Sequence, residues 1–323
     1  MRSSSRSESK RSALLGLLVA TLITGTAASW AWAAGADRAR AEAPGWSFAA
    51  PMPHRRSYTA SAESGGMIYV AAGMVGNTGR PLDLFERFDP QRNSWASLTR
   101  LPQSFSAGAA ASLGRRIYVI GGNSVESTGR QVYVYDIDRR GWRATTPLPA
   151  ARTNLAVVSL GGRIYALGGL DPVQPTRTVY VYDPTSKRWS QAAPLPRPLH
   201  ALGAVVFKGK IWAIGGRSTS GAPLRQVWIY DPRRDRWRAG PSLPEPMDIP
   251  GVAVEGGRIY AVVDTISVVY DAAVGRWRRG RTLRVPRHAL ALFAHSGRLY
   301  AVGGCTYPQL VDSQVVETMP TAG

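Results

Sequence analysis

The side chains best suited to catalysis or metal binding are scarce in this chain: four His and one Cys among 323 residues. His54, His200 and His288 are far apart in sequence, and His295 sits beside a glycine turn. No two of them have the spacing of a metal-binding pair, so no metal is expected. Cys305 stands alone, which rules out an intramolecular disulfide. No hydrolase-type order of nucleophile, histidine and acid occurs, and there is no P-loop or dinucleotide fingerprint. No cofactor and no catalytic residue is expected. What the chain has in excess is guanidinium. Lys and Arg total 40 against 21 acids, giving a formal net charge of +19, and lysine occurs only at Lys10, Lys187, Lys208 and Lys210. That balance suits phosphate- or carboxylate-bearing partners: nucleic acid, anionic lipid or acidic polysaccharide.

The elements that would position these cations begin after an N-terminal address. Arg2, Arg6, Lys10 and Arg11 precede 24 uncharged residues at 13–36, and Ala31-Trp32-Ala33 offers a small-residue cleavage site. Residues 1–36 are therefore expected to be a signal peptide or a single membrane anchor. Residues 37–44 are expected to be a polar linker, 45–319 a folded domain and 320–323 a short tail. The body is expected outside the cytoplasm, periplasmic, extracellular or anchored on the outer side of the membrane. That location makes nucleic acid an improbable partner.

The body is one unit repeated. Trp46, Trp95, Trp142, Trp189, Trp237 and Trp277 recur 40–49 residues apart. Between them the same elements return in order. A small or apolar alternating stretch leads to a glycine-containing turn. An Ile-Tyr run then ends in a glycine doublet (IYVIGG at 117–122, IYALGG at 164–169, IWAIGG at 211–216, LYAVGG at 299–304). After a variable loop, an aromatic-rich run ends in Asp (VYVYD at 132–136 and 179–183, VWIYD at 227–231), and the next Trp follows. Each unit reads as four short strands, which cannot cover their own faces and must stack radially.

This pattern resembles the Kelch repeat, and the resemblance covers residues 45–319. It implies an all-β fold, a six-bladed Kelch-type β-propeller of the galactose oxidase superfamily. The sixth unit supplies strands at 289–294, 298–303 and 313–318 but no Trp strand, while Trp46-Ser47-Phe48-Ala49 is a Trp strand with no unit before it. Blade six is therefore expected to be closed by the N-terminal strand, which removes an exposed sheet edge. Blade five has Val263-Asp264 in place of the doublet and only a short loop after it, so a gap in the rim is expected there.

Strand order assigns each connection to a face. The one-to-two and three-to-four turns share one face, where 16 Lys and Arg residues meet nine acids, seven of them turn-forming Asp. This basic plate is a candidate contact for anionic lipid or wall polymer. The longer loops share the other face, where propellers usually place recognition. The Kelch resemblance implies that an arginine 12 residues before the second-strand Ile lines the channel mouth. Counting back gives Arg56, Arg152 and Arg287, with Phe105, Leu199 and Met247 in the other blades. His54, His200 and His288 fall in the same region but at different positions along their blades, and Glu245, Asp248 and Asp264 are nearby acids. The candidate ligand site is thus Arg56, Arg152, Arg287, His54, His200, His288, Glu245 and Asp248. The expected partner is an acidic glycan, peptide or protein, and the expected role is that of a binding or scaffold module. Two enzyme types on such propellers bear comparison. A radical copper site is disfavoured because Tyr307 stands only two residues from Cys305. A sialic-acid mutarotase would need an acid and an arginine together, as Arg56, Arg152 or Arg287 with Glu245 or Asp248 would supply.

Overall fold

The computed structural model describes residues 45–76, 79–124, 129–172, 174–306 and 311–321; the segments expected to be an export signal or anchor and a linker, and Tyr307, lie outside them. Among the described residues no helix is long and apolar enough to cross a membrane. Six four-stranded antiparallel sheets form the blades. Blade one comprises Ala60–Ser64, Met67–Ala71, Phe85–Asp89 and Ser94–Ser97, and blade two Ala109–Ser112, Arg116–Ile120, Val132–Asp136 and Gly141–Ala144. Blade three comprises Ala156–Leu160, Arg163–Leu167, Val179–Asp183 and Arg188–Ala192, and blade four Gly203–Phe207, Lys210–Ile214, Val227–Asp231 and Arg236–Ala239. Blade five follows with Gly251–Glu255, Arg258–Val263, Ile266–Asp271 and Arg276–Arg279. Blade six takes Ala291–His295, Arg298–Val302 and Val316–Pro320 from the C-terminal end and Ser47–Ala49 from the N-terminal end. Ser47 pairs with Thr318 and Ala49 with Val316, so the ring closes as expected. The third strand of blade six lies further along than 313–318, because Val311–Asp312 first pairs with Cys305–Thr306. It runs through Pro320, and the Thr321 N–H still bonds the Gly297 carbonyl, so the tail assigned to 320–323 begins inside the fold.

No blade has a core of its own. Each of the six apolar clusters draws on two adjacent blades, as where Phe85 and Tyr69 of blade one meet Tyr135 and Ile117 of blade two. Alternation explains this, because the two faces of each sheet are turned to different neighbours. Two sets of hydrogen bonds repeat at every interface. Each repeat Trp donates its indole N–H to a carbonyl of the preceding blade: Trp95 to Ala50, Trp142 to Thr99, Trp189 to Thr146, Trp237 to Ala193, Trp277 to Pro241 and Trp46 to Arg281, all at 2.8–3.0 Å. In the opposite direction, the second residue of each doublet donates its N–H to the following blade. Gly73 bonds the Phe105 carbonyl, Gly122 Arg152, Gly169 Leu199, Gly216 Met247, Asp264 Arg287 and, closing the circle, Gly304 Arg56. The doublets are glycine because the next blade is so close. A Cβ at Gly168 would stand 2.4 Å from the Leu199 carbonyl oxygen, at a φ of +57° that side chains seldom adopt.

The three-to-four turns are closed by their Asp carboxylates, which accept backbone N–H groups two or three residues on: Asp89 from Gln91 and Arg92, Asp136 from Asp138 and Arg139, Asp183 from Thr185 and Ser186. These bonds hold the carboxyls of Asp89, Asp136, Asp183 and Asp271 below the usual range, and at Asp231 the Lys210 ammonium is the leading cause. A depressed folded-state value adds stability above the unfolded carboxylate range, near pH 4, that is lost as pH falls through the folded values. The melting temperature is therefore expected to be level from about pH 6 to 5 and to fall below about pH 4; a scan that stays flat to pH 3 contradicts it. Trp46 is 4% exposed, so Trp46→Ala should cost about 3–5 kcal/mol in urea denaturation, more than the same change at half-exposed Trp142.

Candidate functional site

The first strands converge on the axis, and their sequences show it. Ala109, Ala156, Gly203, Gly251 and Ala291 line the channel, while Ala60, in the equivalent position of blade one, is buried in the core between blades one and two. A Cβ at Gly203 would stand 2.6 Å from a Val252 methyl, and one at Gly251 2.6 Å from a Leu290 methyl. The resulting channel has a volume of about 480 Å³, and Glu63 is the one charged residue along its described lining. At its loop-face mouth stand Tyr58, Ala107, Asn154, Ala201, Ile249 and Ala289. All six adopt left-handed φ values between 50° and 55°, which places them in equivalent positions two residues before the small ones. Backbone bonds tie five of them together. The N–H of Ala107 donates to the Tyr58 carbonyl, Asn154 to Ala107, Ala201 to Asn154 and Ile249 to Ala201, at 2.7–3.0 Å. Side chains held this way at strained backbone are fixed in direction, and three of them, Tyr58, Asn154 and Ile249, are large enough to reach a ligand.

The three arginines expected at the mouth do not present their heads there. Arg56 and Arg287 are 0% exposed and Arg152 2%. Arg287 Nη1 lies 2.5 Å from Glu317, and its other donors reach the carbonyls of Gly303, Ala301 and Val285 at 2.8–3.1 Å. Glu317 also accepts the N–H groups of Arg284 and Val285. Arg56 pairs with Glu86 at 2.7 Å and donates to the Val70 carbonyl. Arg152 bonds Asp171 at 2.9 Å and lies over the Tyr180 ring at 5.3 Å. Burial pulls the Arg56 and Arg287 guanidiniums below the ordinary arginine value, and Glu86 and Glu317 oppose it. The physical reason for the difference is desolvation: a buried guanidinium needs an acid and carbonyls at once. Arg56 and Arg287 have them inside the blade, and Arg152 has Asp171 of the outlying hairpin and the Ala151 carbonyl. The partners are thus Glu86, Asp171 and Glu317, not Glu245, Asp248 or Asp264. The signal lay in the second position of the third strand. Blades two, three and four have Tyr133, Tyr180 and Trp228 there, while the blades with Arg56 and Arg287 have Glu86 and Glu317.

The remaining expected residues separate. Glu245 pairs with Arg279 on the outermost strand of blade five at 2.8 Å. Asp248 pairs with Arg217 at 2.5 Å. His54 is half-exposed and its Nδ1 meets Glu86 at 2.6 Å. His200 and His288 do share a position, contrary to the expectation, each immediately before its left-handed residue, Ala201 or Ala289. They face different partners. Burial and the neighbouring Arg217 hold His200 below the usual imidazole range, while His288 lies 3.6 Å from Asp264 and edge-on to Tyr58. Among the described residues no three His, Cys, Asp or Glu side chains form a metal-binding group. Burial, with Asp312 and Asp264 nearby, pushes the Cys305 thiol up to about 11, which makes it inert. In blade five the second and third strands meet through a two-residue turn at Asp264-Thr265, where blades one, three and six carry small outlying hairpins.

The six closed blades surround an almost uncharged channel. The KLHDC2/KLHL20/DRC7 Kelch-repeats domain matches residues 57–262 and 108–304, and the chain belongs to the Kelch-repeat family. Among solved structures it is similar to the one titled "Structure of YjhT", at 15% identity and a TM-score of 0.73, covering 83% of this chain and 95% of that one. That likeness concerns the fold. No curated protein matches the chain by sequence.

The Arg287–Glu317 pair has a measurable consequence. Removing either partner leaves a buried charge, at a cost of about 3–5 kcal/mol, whereas replacing both with apolar groups should cost much less than the sum. Urea denaturation of Arg287→Met, Glu317→Leu and the double variant tests this coupling; additive losses contradict it.

Proposed function

We propose that this propeller is a binding or scaffold module that grips a partner at the loop-face mouth and acts outside the cytoplasm. The observation that carries the reading is the ring of Tyr58, Asn154 and Ile249, set on left-handed backbone around a channel of about 480 Å³. An aromatic ring, an amide and a branched apolar group in fixed positions suit a small tip that both packs and hydrogen-bonds. The channel wall is nearly free of charge, so any anionic part of the partner stays outside it. Exposed Arg55 and half-exposed Arg197 lie on the connections of that face and favour an acidic peptide, glycan or protein segment. Export rests on the sequence of residues 1–36. A sugar-modifying activity would need an arginine and an acid turned toward one substrate. The enclosure of Arg56, Arg152 and Arg287, with Glu245 and Asp248 tied to Arg279 and Arg217, favours binding over turnover.

Acidic-peptide and glycan arrays probed with the purified protein test the site. The partner they identify should bind Tyr58→Ala and Asn154→Ala at least about tenfold more weakly, a loss of about 1.4 kcal/mol. Arg139→Gln on the opposite face should bind as the parent does. Undiminished binding by both mouth variants would sink the proposal.

A further inference from the structure

The excess of cation over anion closes round a cavity on the turn face at the outer edge of blade four. There about 280 Å³ is lined by Lys210, Asp231, Arg234, Arg236, Trp237 and Arg238. Strand register accounts for the grouping. Asp231 faces Arg236 across the ladder, and Ile229 faces Arg238. Residues two apart on a strand share a face, so Arg236 and Arg238 project together, about 7 Å apart along the strand. Trp237 between them turns the other way, held to blade three through the Ala193 carbonyl at 2.8 Å.

The acids nearby are already engaged. Asp231 receives Lys210 Nζ at 2.8 Å on one oxygen and the Arg233 N–H at 3.0 Å on the other. Asp235 accepts the Ala193 N–H at 2.8 Å and the Tyr230 hydroxyl at 2.6 Å. Among the described residues, Arg234, Arg236 and Arg238 have no carboxylate within ion-pair distance, and Arg238 reaches only the Ala239 carbonyl, at 3.1 Å. No other blade repeats the set. At the position of Arg234, blade three has Ser186 and blade five Val274. At that of Arg236, blade two has Gly141, and at that of Arg238, blade one has Ala96.

We propose that this crevice is a binding pocket for a phosphate ester, the oxyanion held by the guanidiniums of Arg234, Arg236 and Arg238. Planar guanidinium forks present paired N–H donors to two oxygens of one group, a geometry that suits phosphate. Asp231 also lines the pocket, but it is held by Lys210 and the Arg233 N–H, and none of the three guanidiniums forms an ion pair among the described residues. The volume, near the lower bound for small-molecule sites, leaves room for a sugar-sized body beyond the oxyanion. The pocket lies on the face opposite the mouth, so it is independent of the loop-face reading.

Calorimetric titration of the whole protein tests the pocket with two probes that share this chemistry. One is glucose 1-phosphate; the other is vesicles of phosphatidylcholine containing phosphatidylglycerol. The variant Arg234→Gln/Arg236→Gln/Arg238→Gln should lose at least about tenfold in affinity for one of them, equivalent to about 1.4 kcal/mol. The charge-matched control Arg139→Gln/Lys187→Gln/Arg188→Gln, on blades two and three, should keep it. Loss in the pocket variant alone supports the site, and the responding probe tells a soluble ester from a lipid headgroup. Equal loss in both variants means unspecific charge attraction and overturns the proposal, as does the absence of binding by either probe. Unchanged far-UV circular dichroism in both variants keeps the comparison valid.

Discussion

A four-stranded blade with apolar side chains on both faces has nowhere to bury them except against another blade, and every other feature of this protein follows from that. All six apolar clusters lie between blades. A fully buried large side chain contributes about 1.5–3 kcal/mol, and in an open stack the two end blades would forfeit one face each. Closing the ring removes that loss. The pairing of Ser47–Ala49 with Val316–Pro320 completes the sheet that carries the join, and the bonds from Gly304 to Arg56 and from Trp46 to Arg281 repeat at the join what happens elsewhere.

Closure also decides what the axis can hold. Six first strands surround the axis, and small and apolar residues predominate along them with Glu63 the one charged side chain, so the channel is almost uncharged. Side chains able to recognise anything must then stand at its ends. The left-handed residues supply them, because the turn into each first strand directs one side chain over the mouth in every blade. Three of those six are alanine, so the ring is asymmetric in chemistry although it is symmetric in backbone.

Charge in this protein divides by depth. Arginines inside the blades are matched to acids and carbonyls, since desolvating an unpaired guanidinium is prohibitive. Arginines on the outer strands face water, where a partner is optional, and the turn Asp residues accept backbone N–H groups besides pairing with cations such as Arg92 and Lys210. On the fourth strands of blades four and five, where Arg alternates with Trp, the arginines are exposed.

The repeat was legible without coordinates because each element recurs for a local reason. The Trp, the Ile-Tyr run, the glycine doublet and the turn Asp each meet the same surroundings in every blade, and agreement among copies fixes the blade count, the closure and the face of every loop. Position along the blade was legible too; depth was not. Counting residues brought Arg56, Arg152 and Arg287 to one end of the propeller, but whether their heads turned outward or inward depended on Glu86, Asp171 and Glu317. Glu86 and Glu317 lie 30 residues away in sequence and adjoin the arginines only once the third strand is laid beside the second. The same holds for Tyr58 and Asn154, whose place over the channel comes from a backbone conformation that neighbouring blades impose. Local pattern determined the architecture of this protein; pairing between distant strands decided which side chains were left to face a partner.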